Sequence, residues 1–517
     1  MTMRAMKRQR DNLEGVPSDS KWARRISVED DDSGESDCSA PSPSLWLVDE
    51  ATDPLLRNGA YHHLETVPKA ETIRRRRRLL GPNCPVFFAD NPLKIVRGHM
   101  QYLYQENGTA VLDCINNVCH VGHCHPDVVL AGQRQMGALN TNSRYLHDAV
   151  LDYADDLLTT FPSKLTRMFF VNSGTEANEL ALWLARVYTK QEDVIALKGG
   201  YHGHSKLLIE VGSHKHDQPG GGGPGAFCHV VPSPDVYRGQ FKDKDTAGVQ
   251  YAGTVKDVID ELQQKGKGIC AFLAESVPSC GGQIIPPRGY FENVYKHVRD
   301  VGGVCIADEV QVGFGRVGSH FWGFEVQGSK ICLRGGRGII YLSPLGVVPD
   351  IVTIGKPMGN GHPVAAVVTT EKIAQAFASR GVSYFNTYGG NPVSATIAQA
   401  VLDVIRRENL QEHAHKLGKY LLGELRKLKE KHQLIGDVRG VGLMVGIELV
   451  TDRETLEPAR KEASAVVSEM KSRNILLSVE GPLENVLKFK PPMCFSEENA
   501  DLLVSSLDEV LSEFEGK

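Results

Sequence analysis

The 517-residue chain lacks any apolar run near the roughly 18 residues of a membrane-spanning helix. Its 11 cysteines show no paired CxxC spacing, which suits free thiols in a reducing compartment. It carries little net charge, −5, so nothing in the total points to nucleic acid or to a membrane surface. What is present, 41% hydrophobic and 23% charged residues, is an ordinary globular composition. The length allows more than one domain and a large core.

Residues 1 to 70 read as an arm. Ser27-Val28-Glu29-Asp30-Asp31-Asp32-Ser33-Gly34-Glu35-Ser36-Asp37 is acidic and serine-rich, without apolar periodicity, so the arm is expected to be disordered. The basic residues Arg4, Lys7, Arg8 and Arg10 raise an import signal, with the mitochondrion as the expected compartment and the cytoplasm as alternative. Asp11, Glu14 and Asp19 break the acid-poor pattern of a transit peptide. The run Arg74 to Arg78 reads as a solvated helix face rather than a nucleic-acid patch.

From residue 85 onward, strand and helix patterns alternate. Met168-Phe169-Phe170-Val171 reads as a buried strand, and Ala177, Leu180, Ala181, Leu184, Ala185 and Tyr188 then recur at helical spacing. Further apolar runs lie at Asp193–Leu197, Ile269–Ala274, Cys305–Asp308 and Asp350–Ile354, with a helical pattern around Phe291, Val294 and Val298. Such alternation predicts an α/β fold on a mainly parallel sheet. Long amphipathic patterns at Ala398–Arg407 and Gln411–His432 then predict a smaller α+β domain. The expected division is 71–130 and 386–517 for the small domain and 131–385 for the large one. Gln218 to Gly225 is a glycine-rich surface loop; it neither follows a strand nor opens a helix, which excludes a phosphate-binding reading.

The chemistry gathers at strand tips. Ile351-Val352-Thr353-Ile354-Gly355-Lys356 ends an apolar strand on one amine, and Cys305-Ile306-Ala307-Asp308 ends another on a carboxylate. That pairing is what pyridoxal 5'-phosphate (PLP) requires: an amine to form a Schiff base with its aldehyde, and an acid to keep its ring nitrogen protonated. Asn172-Ser173-Gly174-Thr175-Glu176-Ala177 joins a strand to a helix, where small residues let an anion approach the positive helix start. An ordinary capped helix explains the same residues. Tyr201-His202-Gly203-His204 places an aromatic where it can lie against a pyridine ring.

Taken in order, NSGTEA, YHGH, ADEVQVGFGR, IGKPMGNGHP and NTYGGNP resemble the class III (ω-aminotransferase-like) family of fold-type I PLP enzymes. The resemblance covers about residues 75–510. It implies a large domain on a seven-stranded, mainly parallel sheet, with a small α+β domain made from both chain ends. It implies Lys356 as the Schiff-base lysine, Asp308 at the pyridinium nitrogen and Gln311 at the ring hydroxyl. Gly174 and Thr175 would hold the cofactor phosphate and Tyr201 would stack on the ring. Thr387 would reach the other subunit's cofactor, which implies a homodimer or a tetramer built from it.

A narrower resemblance, to the phospho-lyase branch, lies in Asn140 to Asp148, Ser279 to Pro287 and Lys488 to Phe495. That branch includes the ethanolamine-phosphate and 5-phosphohydroxy-L-lysine phospho-lyases. The string Lys356-Pro357-Met358-Gly359 with Asn391-Pro392 favours the first. Lys356 would remove the proton on the carbon bearing nitrogen, and loss of phosphate from the next carbon would outrun transamination. Where transaminases of this class commonly carry a carboxylate-gripping arginine, this chain has Lys488, a point charge. Arg144, Lys488 and Lys490 are the candidate phosphate contacts, and Glu275 matches a carboxylate that pairs with the substrate arginine in transaminases. Its follower is Ser276 in place of the usual proline. A conventional ω-aminotransferase is the rival activity. An inert binding protein is the contrasting class, disfavoured by the intact Lys356, Asp308, Gln311 and Thr387.

Two features remain. Cys114, Cys119, His120, His123, Cys124 and His125 invite a zinc reading, but a Gly-His-x-His-Pro turn occurs in relatives without one, so no metal is expected. Residues 329–346 are an insertion just before the lysine strand, expected either to disturb that strand or to spread out as a surface loop.

Overall fold

In the computed structural model, residues 66–327, 332–335, 338–341 and 347–515 are described. The acidic arm, and with it any import signal, lies outside them.

Apolar strand runs bounded by turns assemble into a seven-stranded sheet. In chain order its strands are β1 (Leu165–Val171), β2 (Asp193–Leu197), β3 (Cys228–Val231), β4 (Ile269–Glu275), β5 (Val304–Asp308), β6 (Ile351–Ile354) and β7 (Ala365–Thr370). Across the sheet they run β1-β7-β6-β5-β4-β2-β3. β7 is antiparallel to both β1 and β6, and the remaining neighbours pair in parallel. The expected α/β fold on a mainly parallel sheet is therefore what forms. β2, β4, β5 and β6 are buried along their full length, as strands covered on both faces must be. β1 departs from expectation: Met168, Phe169 and Phe170 are half-buried, because the strand lies at the sheet edge.

Helices cover the sheet. Gly174–Thr189, called α1, buries Ala177, Leu180, Ala181, Leu184 and Ala185 at the spacing anticipated. Tyr290–Asp300 buries Phe291, Val294 and Val298. Beyond the sheet, Pro392–Arg407 and Leu410–Lys431 are the two long helices expected. The strand Ile475–Leu476 pairs in parallel with Leu112–Asp113, so segments from early and late in the chain share one sheet. A second smaller sheet contains Ser478–Glu480 and Val486–Phe489, joined antiparallel with Ser478 opposite Lys488.

Arg74–Arg78 lies on the helix Lys69–Leu79, which buries no residue. Gln218 to Gly225 is a loop on the surface. Within the insertion, Cys332–Gly335 pairs antiparallel with Gly338–Tyr341 apart from the main sheet, so this stretch is a hairpin rather than a loop; its other residues lie outside those described. β6 nevertheless keeps its register with β5 and β7. The lysine strand is undisturbed. Among the described residues, no helix is long and apolar enough to cross a membrane.

Candidate active site

Parallel strands end together, and at the ends of β4, β5 and β6 the register sets Glu275 beside Asp308, and Asp308 beside Thr353. Lys356 follows β6 after one glycine. The cavity outside these tips, about 320 Å³, is lined by Gly174, Thr175, Tyr201, Glu275, Asp308, Gln311 and Lys356 among others. Ligands of open α/β sheets bind at this edge. So the expected set converges, apart from Thr387, Arg144, Lys488 and Lys490, none of which lines the cavity of its own chain.

Asp308 is 3% exposed and held from several sides. Its Oδ2 accepts from Asn178 Nδ2 at 2.8 Å and meets His202 Nδ1 at 2.9 Å, and its Oδ1 accepts from the Val310 amide at 3.1 Å. Asn178 is set in turn by Thr353, whose hydroxyl donates to Asn178 Oδ1 at 2.8 Å. Such a network fixes the carboxylate's orientation before any ligand arrives. Sequence reasoning gave neither Asn178 nor His202 a part in this. The available signal was Asn178 one turn into α1, on the face turned toward the strand tips.

Lys356 is partly buried, and burial holds its amine below the ordinary lysine range, against the opposing pull of Asp308, Cys280 and Glu275. Glu275 is 2% exposed and burial pushes its carboxyl up to about 7. Its Oε1 accepts long bonds from Ser279 N and Gln311 Nε2, both 3.4 Å, and its Oε2 is buried without a hydrogen-bond partner among the described residues. Ser276, which follows Glu275 in place of the usual proline, donates its hydroxyl to Glu309.

At the other wall, Ser173 caps α1 by accepting from the Glu176 amide at 3.2 Å, so the ordinary capping role does apply. Thr175 is free for another role: its Oγ1 accepts from the His204 amide at 3.3 Å. The first amides of a helix have no partner within it. A Cβ on Gly203, whose φ is +139°, would sit 2.8 Å from Thr175 Oγ1 and 2.7 Å from Leu208 Cδ1. A Cβ on Gly174 would sit 2.8 Å from Val310 Cγ1. The glycines thus leave a cradle at a helix start that any side chain would fill, a fitting place for a phosphate.

Lys490 is 1% exposed; burial first, then Lys488, holds its amine well below the usual range. Its Nζ donates to Ser279 Oγ at 2.7 Å and to Gln311 Oε1. Lys488 is buried and paired with Glu480. Arg144 lies exposed with its guanidinium 4.0 Å from the Phe385 ring centroid, and Thr387 is exposed two residues further on.

Residues 88–511 match the family described as aminotransferase class-III. The chain belongs to that family, whose members are PLP-dependent enzymes. This class III enzyme is 53% identical over 453 residues to the Drosophila melanogaster "alanine--glyoxylate aminotransferase 2-like" protein, covering 87% of this chain and 88% of that one. It is 44% identical to the Caenorhabditis elegans "ethanolamine-phosphate phospho-lyase homolog 1", covering 86% and 94%. A solved phospholyase from Arthrobacter, in complex with phosphoethanolamine, superposes with a TM-score of 0.78 at 37% identity, over 85% of this chain and 99% of that one. The donor set suits the cofactor of the class III enzyme: a partly buried amine, an oriented acid and a glycine cradle face one cavity.

Each of the three histidines of residues 114–125 meets a partner outside that cluster. His120 meets Phe314 O at 2.8 Å and Arg316 Nη2 at 3.2 Å, His123 meets Asp113 at 2.7 Å, and His125 meets Glu408 at 3.1 Å. Arg316, quoted in a motif but given no role from sequence, also donates to Leu443 O at 3.1 Å and Pro491 O at 2.8 Å while fully buried.

Proposed function

We propose that this class III enzyme is a lyase that eliminates phosphate from phosphoethanolamine. Phosphoethanolamine and water become acetaldehyde, ammonia and inorganic phosphate. The observation that carries the reading is the pair of buried lysines, Lys488 and Lys490, beside a cavity whose described lining includes no arginine. A bidentate grip on an α-carboxylate is missing from the chain's own wall, whereas point charges suit a phosphate. The likeness to a phospholyase in complex with phosphoethanolamine supports it.

PLP, when bound, supplies the electron sink for this chemistry. Lys356 is the group that anchors it and that takes the proton from the carbon bearing nitrogen; its weakened hold on a proton suits a base. Asp308, aligned by His202 and Asn178, would hold the proton at the ring nitrogen. Gly174 and Thr175 would cradle the cofactor phosphate, Tyr201 would cover the ring and Gln311, gripped by Lys490, would face the ring hydroxyl. Glu275 lies within the cavity, where its carboxyl, neutral at lower pH, adds no repulsion to a substrate phosphate. Glu480 screens Lys488 until a substrate phosphate competes for it. Arg144 and Thr387 stand together on an exposed surface and serve the partner's site across a homodimer.

The relative named as an aminotransferase at 53% identity favours one rival, transamination. Purified holoenzyme is mixed separately with phosphoethanolamine and with 5-phosphohydroxy-L-lysine, and phosphate, ammonia and aldehyde are followed. Phosphate release without a keto acid, faster with phosphoethanolamine, supports the proposal. Turnover that needs a keto acid and leaves phosphate in place replaces the lyase with a transaminase.

A further inference from the structure

His214, Cys280 and Glu480 arrive from three separate segments: the short helix Ser213–His216, the loop after β4 and the strand Ser478–Glu480. A ring nitrogen, the thiol sulfur and a carboxylate oxygen, one from each residue, all lie within 4.8 Å of one another. Backbone contacts fix the three segments together. The Gly481 amide donates to Cys280 O at 3.2 Å, and the His214 amide donates to Gly200 O at 3.1 Å. Beside them the chain passes so close that a Cβ on Gly199 would be 3.1 Å from Gly281 Cα.

We propose that His214, Cys280 and Glu480 form a binding site for a borderline-soft divalent cation, zinc in the first instance, just behind Tyr201 and Gln311 of the active-site cavity. One sulfur, one imidazole nitrogen and one carboxylate are a zinc donor set, whereas magnesium and calcium take oxygen ligands. Zinc bond lengths of about 2.0–2.3 Å bring tetrahedral ligand atoms to roughly 3.3–3.7 Å apart, so the cluster closes by about 1 Å. Rotation of the Glu480 and His214 side chains suffices for that, and water takes the fourth position. On binding, the Cys280 S–H bond breaks, the proton goes to solvent and a zinc–sulfur bond forms, with no change of oxidation state.

The ion reaches the active site through neighbours. Glu480 now pairs with Lys488, and zinc competes for that carboxylate. The His214 ring meets Tyr201 edge-on with centroids 5.8 Å apart, and Cys280 Sγ accepts from Gln311 Nε2 at 3.9 Å. Zinc therefore restrains two residues of the cavity and lowers turnover. Metal binding itself is independent of which amine the enzyme processes.

Holoenzyme freed of metal by dialysis is titrated with zinc chloride by calorimetry. The expected result is one zinc per chain, bound at least about tenfold more weakly by Cys280→Ser and by His214→Asn. Cys124→Ser, at an exposed thiol elsewhere, keeps wild-type affinity. X-ray absorption of the zinc-loaded wild type shows one sulfur among nitrogen and oxygen neighbours. A shell without sulfur overturns the proposal, as does unchanged affinity in a Cys280→Ser protein that keeps its cofactor absorbance. If the variants do not fold, the wild-type absorption spectrum decides alone. Because the readout is metal bound, its failure is distinct from failure of the phosphate-release assay.

Discussion

At the scale of single residues, the site depends on burial being opposed by partners. Lys356 loses proton affinity to burial and regains some from Asp308. An amine in that balance is a better nucleophile and base near neutral pH. Lys356→Ala is expected to lower turnover at least about 1,000-fold, measured as phosphate release from phosphoethanolamine. Glu275 carries a different consequence. Its carboxyl is up at about 7 in the folded chain, against an ordinary value of 4.5. Between those values the native state holds a proton that the unfolded chain has lost. Stability therefore falls as pH rises through that window and levels off above it. Glu275→Gln should lose less stability between about pH 5 and pH 7.5 than the wild type, by roughly 1–3 kcal/mol. Urea unfolding at the two pH values checks this, and an equal loss in both proteins refutes it.

At the scale of elements, positions that matter are where segments meet. Gly203 combines a left-handed φ with a Cβ direction blocked by Thr175 and Leu208. Gly203→Ala is expected to weaken PLP affinity about tenfold or more by pushing Thr175 from the cradle, read by cofactor titration; unchanged affinity would show the cradle to be elsewhere. Arg316 straps the Leu443 and Pro491 carbonyls to His120. Removing a buried charge's hydrogen-bonded contacts leaves those acceptors unsatisfied, so Arg316→Ala should cost about 3 kcal/mol or more in denaturant unfolding. The glycine and arginine were visible in motifs, but their roles were not. Each depends on a neighbour more than 20 residues away in the chain.

At the scale of the whole molecule, the surface near Thr387 is unusually apolar. Leu146 is 98% exposed, Tyr388 72% and Tyr145 70%. Single exposed apolar side chains are common, but a group of large ones marks an interface. The protein is expected to sediment as a dimer. Leu146→Asp should shift it toward monomer and lower activity about tenfold or more, because Thr387 and Arg144 would lose the partner's site that they are proposed to serve. A monomeric variant with full activity would confine the whole site to one chain.

Alternating apolar runs sufficed to read the parallel sheet, because strands buried on both faces carry their signature in consecutive residues. Strand-tip chemistry likewise singled out Lys356 and Asp308, which the fold brings to one cavity. The edge exposure of β1 was not legible, since burial depends on which strands lie alongside. The Asn178–His202–Asp308 network and the cluster of His214, Cys280 and Glu480 were also beyond local reading. Their members are distant in sequence and meet only when strand tips and loops converge. Periodicity reports each segment's own environment; tertiary packing alone decides which polar groups share it.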